Sequence, residues 1–231
     1  TPRVRGMVDT EPLRQLLTEA MAQIDDELVG IEYNLNRGVL SAVAISTTNY
    51  TTGQSVTWVQ GRGIETWERP NRIAVKAKIG ISHVMASAAL PIFFPAVRIG
   101  QSWYGDGGIR LSAPLSPALH LGAHKILAIS TRYIRTRAEA SRAEVVGYPP
   151  PAQVLGLLYN AVFLDVIDQD AIRLERLNRI LKKLPEDQRE GMRVVGLLVQ
   201  RPSRDLGRIA RYYEPRLPST FRFLSRGWGT R

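Results

Sequence analysis

Cysteine is absent from the 231-residue sequence, which excludes disulfides, thiolate nucleophiles and cysteine-ligated metal sites together. Histidine is nearly absent. The three present are His83, His120 and His124; the last two stand four apart, but no glutamate follows His120, so the H-E-x-x-H pattern of a helical zinc site is missing. Two helix-end histidines are the plainer reading, and neither a metal nor a cofactor is expected. Lysine is scarce too: apart from Lys76, Lys78, Lys125, Lys182 and Lys183, the 31 cationic side chains are arginines, and the formal net charge is +10. That balance favours anionic partners such as a phospholipid surface or a nucleic acid. The arginines at 132–142, 173–179 and 201–216 are interleaved with acids, and no zinc-finger, RNP or basic-zipper pattern occurs, so no specific nucleic acid is expected.

A membrane-spanning run is also lacking. The uncharged stretch 147–164 is opened by Pro149, Pro150 and Pro151 and interrupted by Gln153 and Asn160, a poor match for the roughly 20 apolar residues of a span. The opening "TPRVRGMVDTEPL" has no apolar signal-peptide core and no initiator methionine, and reads as a cut. A cytoplasmic or peripheral-membrane location is expected. What the chain does contain, 44% hydrophobic and 23% charged residues, describes a globular protein with a sizeable core. Its length allows one large domain or at most two small ones, and one domain over 1–231 is expected, with a first region to about 145 and a helical region over 146–231.

Element types alternate along the chain. "DTEPLRQLLTEAMAQI" predicts a helix capped by Asp9 or Thr10, with Leu13, Leu16, Leu17, Ala20 and Ile24 on a face suited to packing on a sheet. "VLSAVAIST" (39–47) predicts a strand buried on both faces, "TTGQSVTWVQG" a hairpin turning at Gly53, and "NRIAVKAKIG" its neighbour. Ser82 suits the N-cap of a short helix that Pro91 ends, with Phe93 and Phe94 forming an apolar corner. "AVRIGQSWYGDGG" predicts a hairpin turning near Gly100 that delivers Asp106 at the end of its second arm. "SPALHLGAHKILAIS" predicts a helix, a Gly122 C-cap and a strand. Residues 151–183 predict a long helical region interrupted near Asp168, in which 155–164 reads as core rather than as a membrane-inserting face. "MRVVGLLVQRPS" predicts a further strand, and the Arg-, Pro- and Tyr-rich remainder reads as irregular with short helices. The segments 39–47, 125–130 and 193–200 are expected in one sheet, giving an α/β class.

Alone, Asp106-Gly107-Gly108 is an ordinary turn, since glycine supplies the backbone freedom that tight turns demand. The ordered series "ASAALPIFFPAV", "YGDGG" and "APLSPALHLGAHKILAIS", with "VDTEPLRQLL" before it and "VQRPSRDLGRIA" after it, resembles the bacterial patatin-like phospholipases over nearly the whole chain. The resemblance implies a layered α/β/α patatin-like fold with a central, mostly parallel sheet. It implies a lipid acyl hydrolase of the phospholipase A or lysophospholipase type, in which Asp106 is the base of a Ser-Asp dyad and Gly107 and Gly108 belong to the active-site loop. A phospholipid or other acyl-ester lipid is the implied substrate, and an anionic membrane surface the implied setting. A dyad without histidine needs a carboxylate made more basic by burial, since an ordinary aspartate near pKa 3.9 is a feeble base toward a hydroxyl.

The family also carries a glycine-rich oxyanion loop and a G-x-S-x-G elbow. "GQSVT" at Ser55, "GISHV" at Ser82 and "GQSWY" at Ser102 each lack the second glycine. The resemblance therefore implies a sequence that begins after the nucleophile segment and stops at "FRFLSRGWGTR" before the usual C-terminal portion, so that this chain alone is expected to be inactive. The alternatives are an inactive lipid-surface-binding relative and, behind it, a basic nucleic-acid-binding module.

Overall fold

The computed structural model describes residues 6–141, 147–149 and 151–213. The chain forms two compact units, Thr1–Ala123 and His124–Arg231.

The first unit opens with α1 (Glu11–Ala20), the two-residue strands β1 (Gln23–Ile24) and β2 (Glu27–Leu28), and α2 (Val29–Asn36). β3 (Ala42–Asn49) is rich in β-branched residues and returns through a tight turn as β4 (Ser55–Gly61). Asn49 builds that turn by accepting the Thr51 and Thr52 amides on Oδ1 at 2.8 and 3.2 Å, while Gly53 takes φ 71°. β5 (Glu68–Arg69) and β6 (Arg72–Lys76) follow, then α3 (Ile81–Ser87), and then the hairpin of β7 (Val97–Ile99) and β8 (Ser102–Asp106), turning at Gly100 with φ 60°. α4 (Ser116–His120) ends at Gly122, whose φ of 88° is the left-handed exit expected of a C-cap glycine.

The six-stranded sheet has the order β5-β6-β4-β3-β8-β7. The α/β class expected from the sequence is what the chain adopts, while the strand directions are mostly antiparallel: only the β4–β6 ladder of this sheet is parallel. The reason is the short connections, because two- to five-residue hairpins can only join antiparallel neighbours. α3 packs on β3, β7 and β8. Between them lie Val56, Trp58, Ala86 and Tyr104, with Trp58 edge-on to Tyr104 at 5.3 Å and to His83 at 4.8 Å. Trp58 gives its indole N–H to Thr47 Oγ1 at 2.9 Å, so the ring is buried without an orphan donor.

The second unit contains β9 (Lys125–Ile129), α5 (Arg137–Ala140), α6 (Pro151–Phe163), α7 (Asp165–Leu181), β10 (Gly196–Gln200) and α8 (Leu206–Tyr213). β9 and β10 form a parallel pair. Asn178 of α7 clamps Val195 at the entrance to β10, donating to its carbonyl at 2.7 Å and accepting its amide at 3.0 Å.

Several expectations are corrected. The segments 39–47, 125–130 and 193–200 are not strands of one sheet: β3 belongs to the six-stranded sheet, while β9 and β10 pair with each other. β9 and β10 are not buried on both faces either, since Leu127, Ile129 and Leu198 are exposed. α1 lies against α3 instead of the sheet and leaves Leu13 and Leu16 exposed. The helical break falls at Leu164, ahead of Asp168, which places Asp165 and Asp168 in the first turn of α7 where the helix dipole favours acids. The 155–164 stretch is not core, because Leu157, Leu158 and Val162 are exposed. Residues 214–231, expected to be irregular, lie outside the described residues.

Candidate functional site

Asp106 closes β8, where the ladder pairs it with Thr47 of β3. Three contacts fix its backbone and side chain. Its amide donates to the Ala89 carbonyl just beyond α3 at 3.0 Å, its own carbonyl accepts the Thr48 hydroxyl at 2.8 Å, and its Oδ1 accepts the Gly108 amide at 2.7 Å. Helix, central strand and following turn therefore converge on one residue. Burial pushes the Asp106 carboxyl above the usual carboxylate range, against the opposing pull of the Gly108 amide bond, which stabilises the charged form. Such a carboxylate is more basic than one in water.

The glycines around it have separate reasons. A Cβ on Gly107 would lie 2.3 Å from the Ser46 carbonyl oxygen, so β3 approaches too closely for any side chain there. Gly107 is buried, and Gly108 supplies the amide that orients the carboxylate.

Asp106, Gly107 and Gly108 line a cleft of about 650 Å³ whose walls include Ile45, Val84, Leu111, Pro114 and Leu121. A carboxylate on an apolar cleft is chemically suited to accept a proton from a hydroxyl beside an apolar substrate. Two serines not singled out in the sequence, Ser46 and Ser87, line the same cleft. Ser46 shares a hydrogen bond with Thr57 across the β3–β4 ladder at 3.2 Å. No local motif marks either serine; the strand register and the last turn of α3 bring them there.

The serines weighed from the sequence lie elsewhere. Ser55 opens β4 and is buried, and Ser102 opens β8. Ser82 is not the N-cap of α3, a position held by Gly80. The carboxylate of Asp26 does the capping from the β1–β2 turn, accepting the Ser82 amide at 3.1 and 3.2 Å and its hydroxyl at 3.1 Å, with Arg14 beside it at 3.7 Å. Asp26 holds φ 71° to do so. His83 accepts the Gly80 amide on Nδ1 at 3.0 Å, and burial holds its pKa below the ordinary histidine value. Both observations place His83 in the core as a neutral ring.

Among the described residues, no cluster of three or more His, Asp or Glu is arranged to hold a metal ion, and no helix is long and apolar enough to cross a membrane. Some arginines of the second unit are paired with acids: Arg132 with Asp165 and Asp168, Arg201 with Asp168, Arg135 with Asp205 and Arg189 with Glu186.

Comparison with known proteins agrees with the motif series. No curated protein and no solved structure matches the chain. The family model described as "Patatin-like phospholipase" matches residues 2–119, half of the chain and all of the elements that surround Asp106. The chain belongs to the patatin-like phospholipase family, a family of lipid acyl hydrolases.

Proposed function

We propose that the protein is a carboxylic ester hydrolase acting on phospholipids or related acyl-ester lipids, with Asp106 as the base of a Ser-Asp dyad and its serine on a segment outside these 231 residues. The observation that carries this reading is the half-buried Asp106 on an apolar cleft, with its carboxyl raised above the usual range, its backbone held by Ala89 and Thr48 and its carboxylate by the Gly108 amide. In the reaction, the Asp106 carboxylate takes the proton of the serine hydroxyl as the oxygen attacks the ester carbonyl. The proton passes to the departing lipid alcohol, leaving an acyl-enzyme. Water then attacks the acyl group as Asp106 takes its proton, and that proton passes to the serine oxygen as the fatty acid leaves, restoring the serine hydroxyl and the carboxylate. Gly107 keeps side chains out of the approach, and Gly108 aims the carboxylate.

The test begins with the coding sequence ahead of Thr1, read for a G-x-S-x-G segment. The 231-residue chain and a chain carrying that segment are then assayed side by side on short p-nitrophenyl esters. Turnover is expected only with the segment, and Asp106→Asn should abolish it, while Ser82→Ala should leave it. Robust turnover by the 231-residue chain that vanishes with Ser87→Ala or Ser46→Ala would move the nucleophile into this sequence. Inactivity with the segment present would leave the lipid-surface-binding alternative.

A further inference from the structure

Three arginines stand at the end of the six-stranded sheet that carries the β3–β4 turn. Arg69 of β5 and Arg72 of β6 are direct cross-strand partners, an arrangement of like charges that ordinarily costs stability. The neighbouring acid does not relieve it: Glu68 pairs with Ile73 and so projects to the opposite face of the ladder. Arg72 donates through Nη2 to the hydroxyl of Ser112, which lies between Leu111 and Pro114 of the cleft wall. The same Arg72 is in register with Ser55 of β4, and two residues before Ser55 the turn at Gly53 is overlain by Arg110, whose Nη1 is 3.9 Å from where a Gly53 Cβ would stand. Among the described residues, none of the three guanidinium groups forms an ion pair with a carboxylate.

The surroundings are amphipathic. Trp67, just before β5, stacks on His120 at 4.4 Å with the rings 8° from parallel, and His120 neighbours the cleft residue Leu121. Tyr50 belongs to the same turn as Gly53, is 44% exposed and rests its hydroxyl over Gly105; its amide donates to the carbonyl of Trp103, itself 37% exposed. Partly exposed Tyr and Trp beside unpaired arginine is the composition of a lipid headgroup boundary, where the rings sit between apolar and wet layers.

We propose that Arg69, Arg72 and Arg110 form a phosphate-binding rim of the Asp106 cleft that holds the headgroup of an anionic lipid at a membrane surface. Guanidinium forks match phosphate oxygens with two parallel donors, and unpaired forks gain such a partner without breaking an existing ion pair. By the same alternation Arg72, in line with Ser55, Thr48 and Gly105, projects from the sheet face opposite to the Asp106 side chain, and it meets the cleft wall through Ser112 in the segment that follows Asp106. The proposal rests on the lipid-hydrolase reading only in choosing a lipid as the carrier of the phosphate.

The test is binding of the full chain to vesicles, which requires no turnover. Vesicles of phosphatidylcholine alone are compared with vesicles containing phosphatidylglycerol, for the wild type, for R69Q/R72Q/R110Q, and for R173Q/R176Q/R179Q, which removes the same charge from the exposed face of α7. Wild-type protein is expected to prefer the anionic vesicles. The rim variant should lose about 100-fold of that affinity, from the typical contribution of each basic residue near an anionic surface. The α7 variant should lose little. Equal losses in the two variants would reduce the effect to net charge and overturn the proposal, as would equal binding to both vesicle types. Inorganic phosphate in excess distinguishes the sources: displacement from anionic vesicles by phosphate alone would mean that a free phosphate, not a headgroup, is what the rim reads. Duplex DNA binding that depends on the three arginines while vesicle binding does not would likewise overturn it. If the triple variant melts early, Arg110→Gln alone carries the test, with a loss of about fivefold supporting the rim and no loss refuting it. Lost hydrolysis with vesicle binding intact would count against the hydrolase reading alone.

Discussion

Adding one methyl group on either side of Asp106 should have unequal consequences. At Gly107, a Cβ would stand 2.3 Å from the Ser46 carbonyl oxygen and 2.6 Å from its carbon, both backbone atoms of β3 within its ladder to β4. The obstacle cannot move without distorting the sheet. At Gly105 the nominal overlap is worse, 2.0 Å, but the obstacle is the hydroxyl end of Tyr50, a side chain 44% exposed that can swing toward solvent. Overpacking against fixed atoms costs about 1–3 kcal/mol, and replacing glycine by alanine returns about 0.4–1 kcal/mol by restricting the unfolded chain. Gly107→Ala should therefore lose about 2 kcal/mol, and Gly105→Ala about 1 kcal/mol or less. In a chain of this length, 2 kcal/mol lowers the melting temperature by about 4–8 °C. Thermal unfolding followed by far-UV circular dichroism compares the variants directly. A Gly107→Ala protein as stable as the wild type, or more stable than Gly105→Ala, would refute the argument that β3 backbone fixes the Asp106 turn.

Two further predictions concern ionisation and capping. Because burial raises the Asp106 carboxyl in the folded state, both states hold the proton below the ordinary carboxylate range. As pH rises the unfolded chain releases it first, and stability falls until the folded group has ionised. Asp106→Asn should thus be more stable than the wild type at neutral pH, with the gain vanishing below about pH 4 in denaturant titrations; a neutral-pH loss, or a gain that grows on acidification, would contradict it. Asp26→Ala should cost about 2 kcal/mol by removing the acceptor of the Ser82 amide and hydroxyl, and Ser82→Ala about 1 kcal/mol. In the double variant the second loss should largely disappear, whereas simple additivity would show that the Ser82 hydroxyl acts independently of Asp26.

Much of the first unit was legible in the sequence because its signals are local. The turn residues Gly53, Gly100 and Gly122 act through their own backbone angles, so the hairpins and the helix exit could be placed without knowing the fold. The hairpin that delivers Asp106 was legible for the same reason, and the Asp-Gly-Gly series carried the family with it.

What the sequence could not carry were the long-range choices. The helix cap was assigned to Ser82 because cap preference is a local rule, yet Asp26, 56 residues away, supplies the acceptor. The apolar spacing of α1 and 155–164 told which residues share a face but not whether another element covers it, and in both helices apolar side chains stay exposed. Sheet membership escaped for a similar reason: a run of β-branched residues favours a strand whatever its neighbours, while β3 pairs with β4 along its length and with β8 at its end, and β9 pairs with β10. The same register set Arg69 opposite Arg72, and the return of the chain after Gly108 laid Arg110 over Gly53. Local propensity is a property of a few adjacent residues; which surfaces meet is decided by the competition of all segments for the same edges and faces.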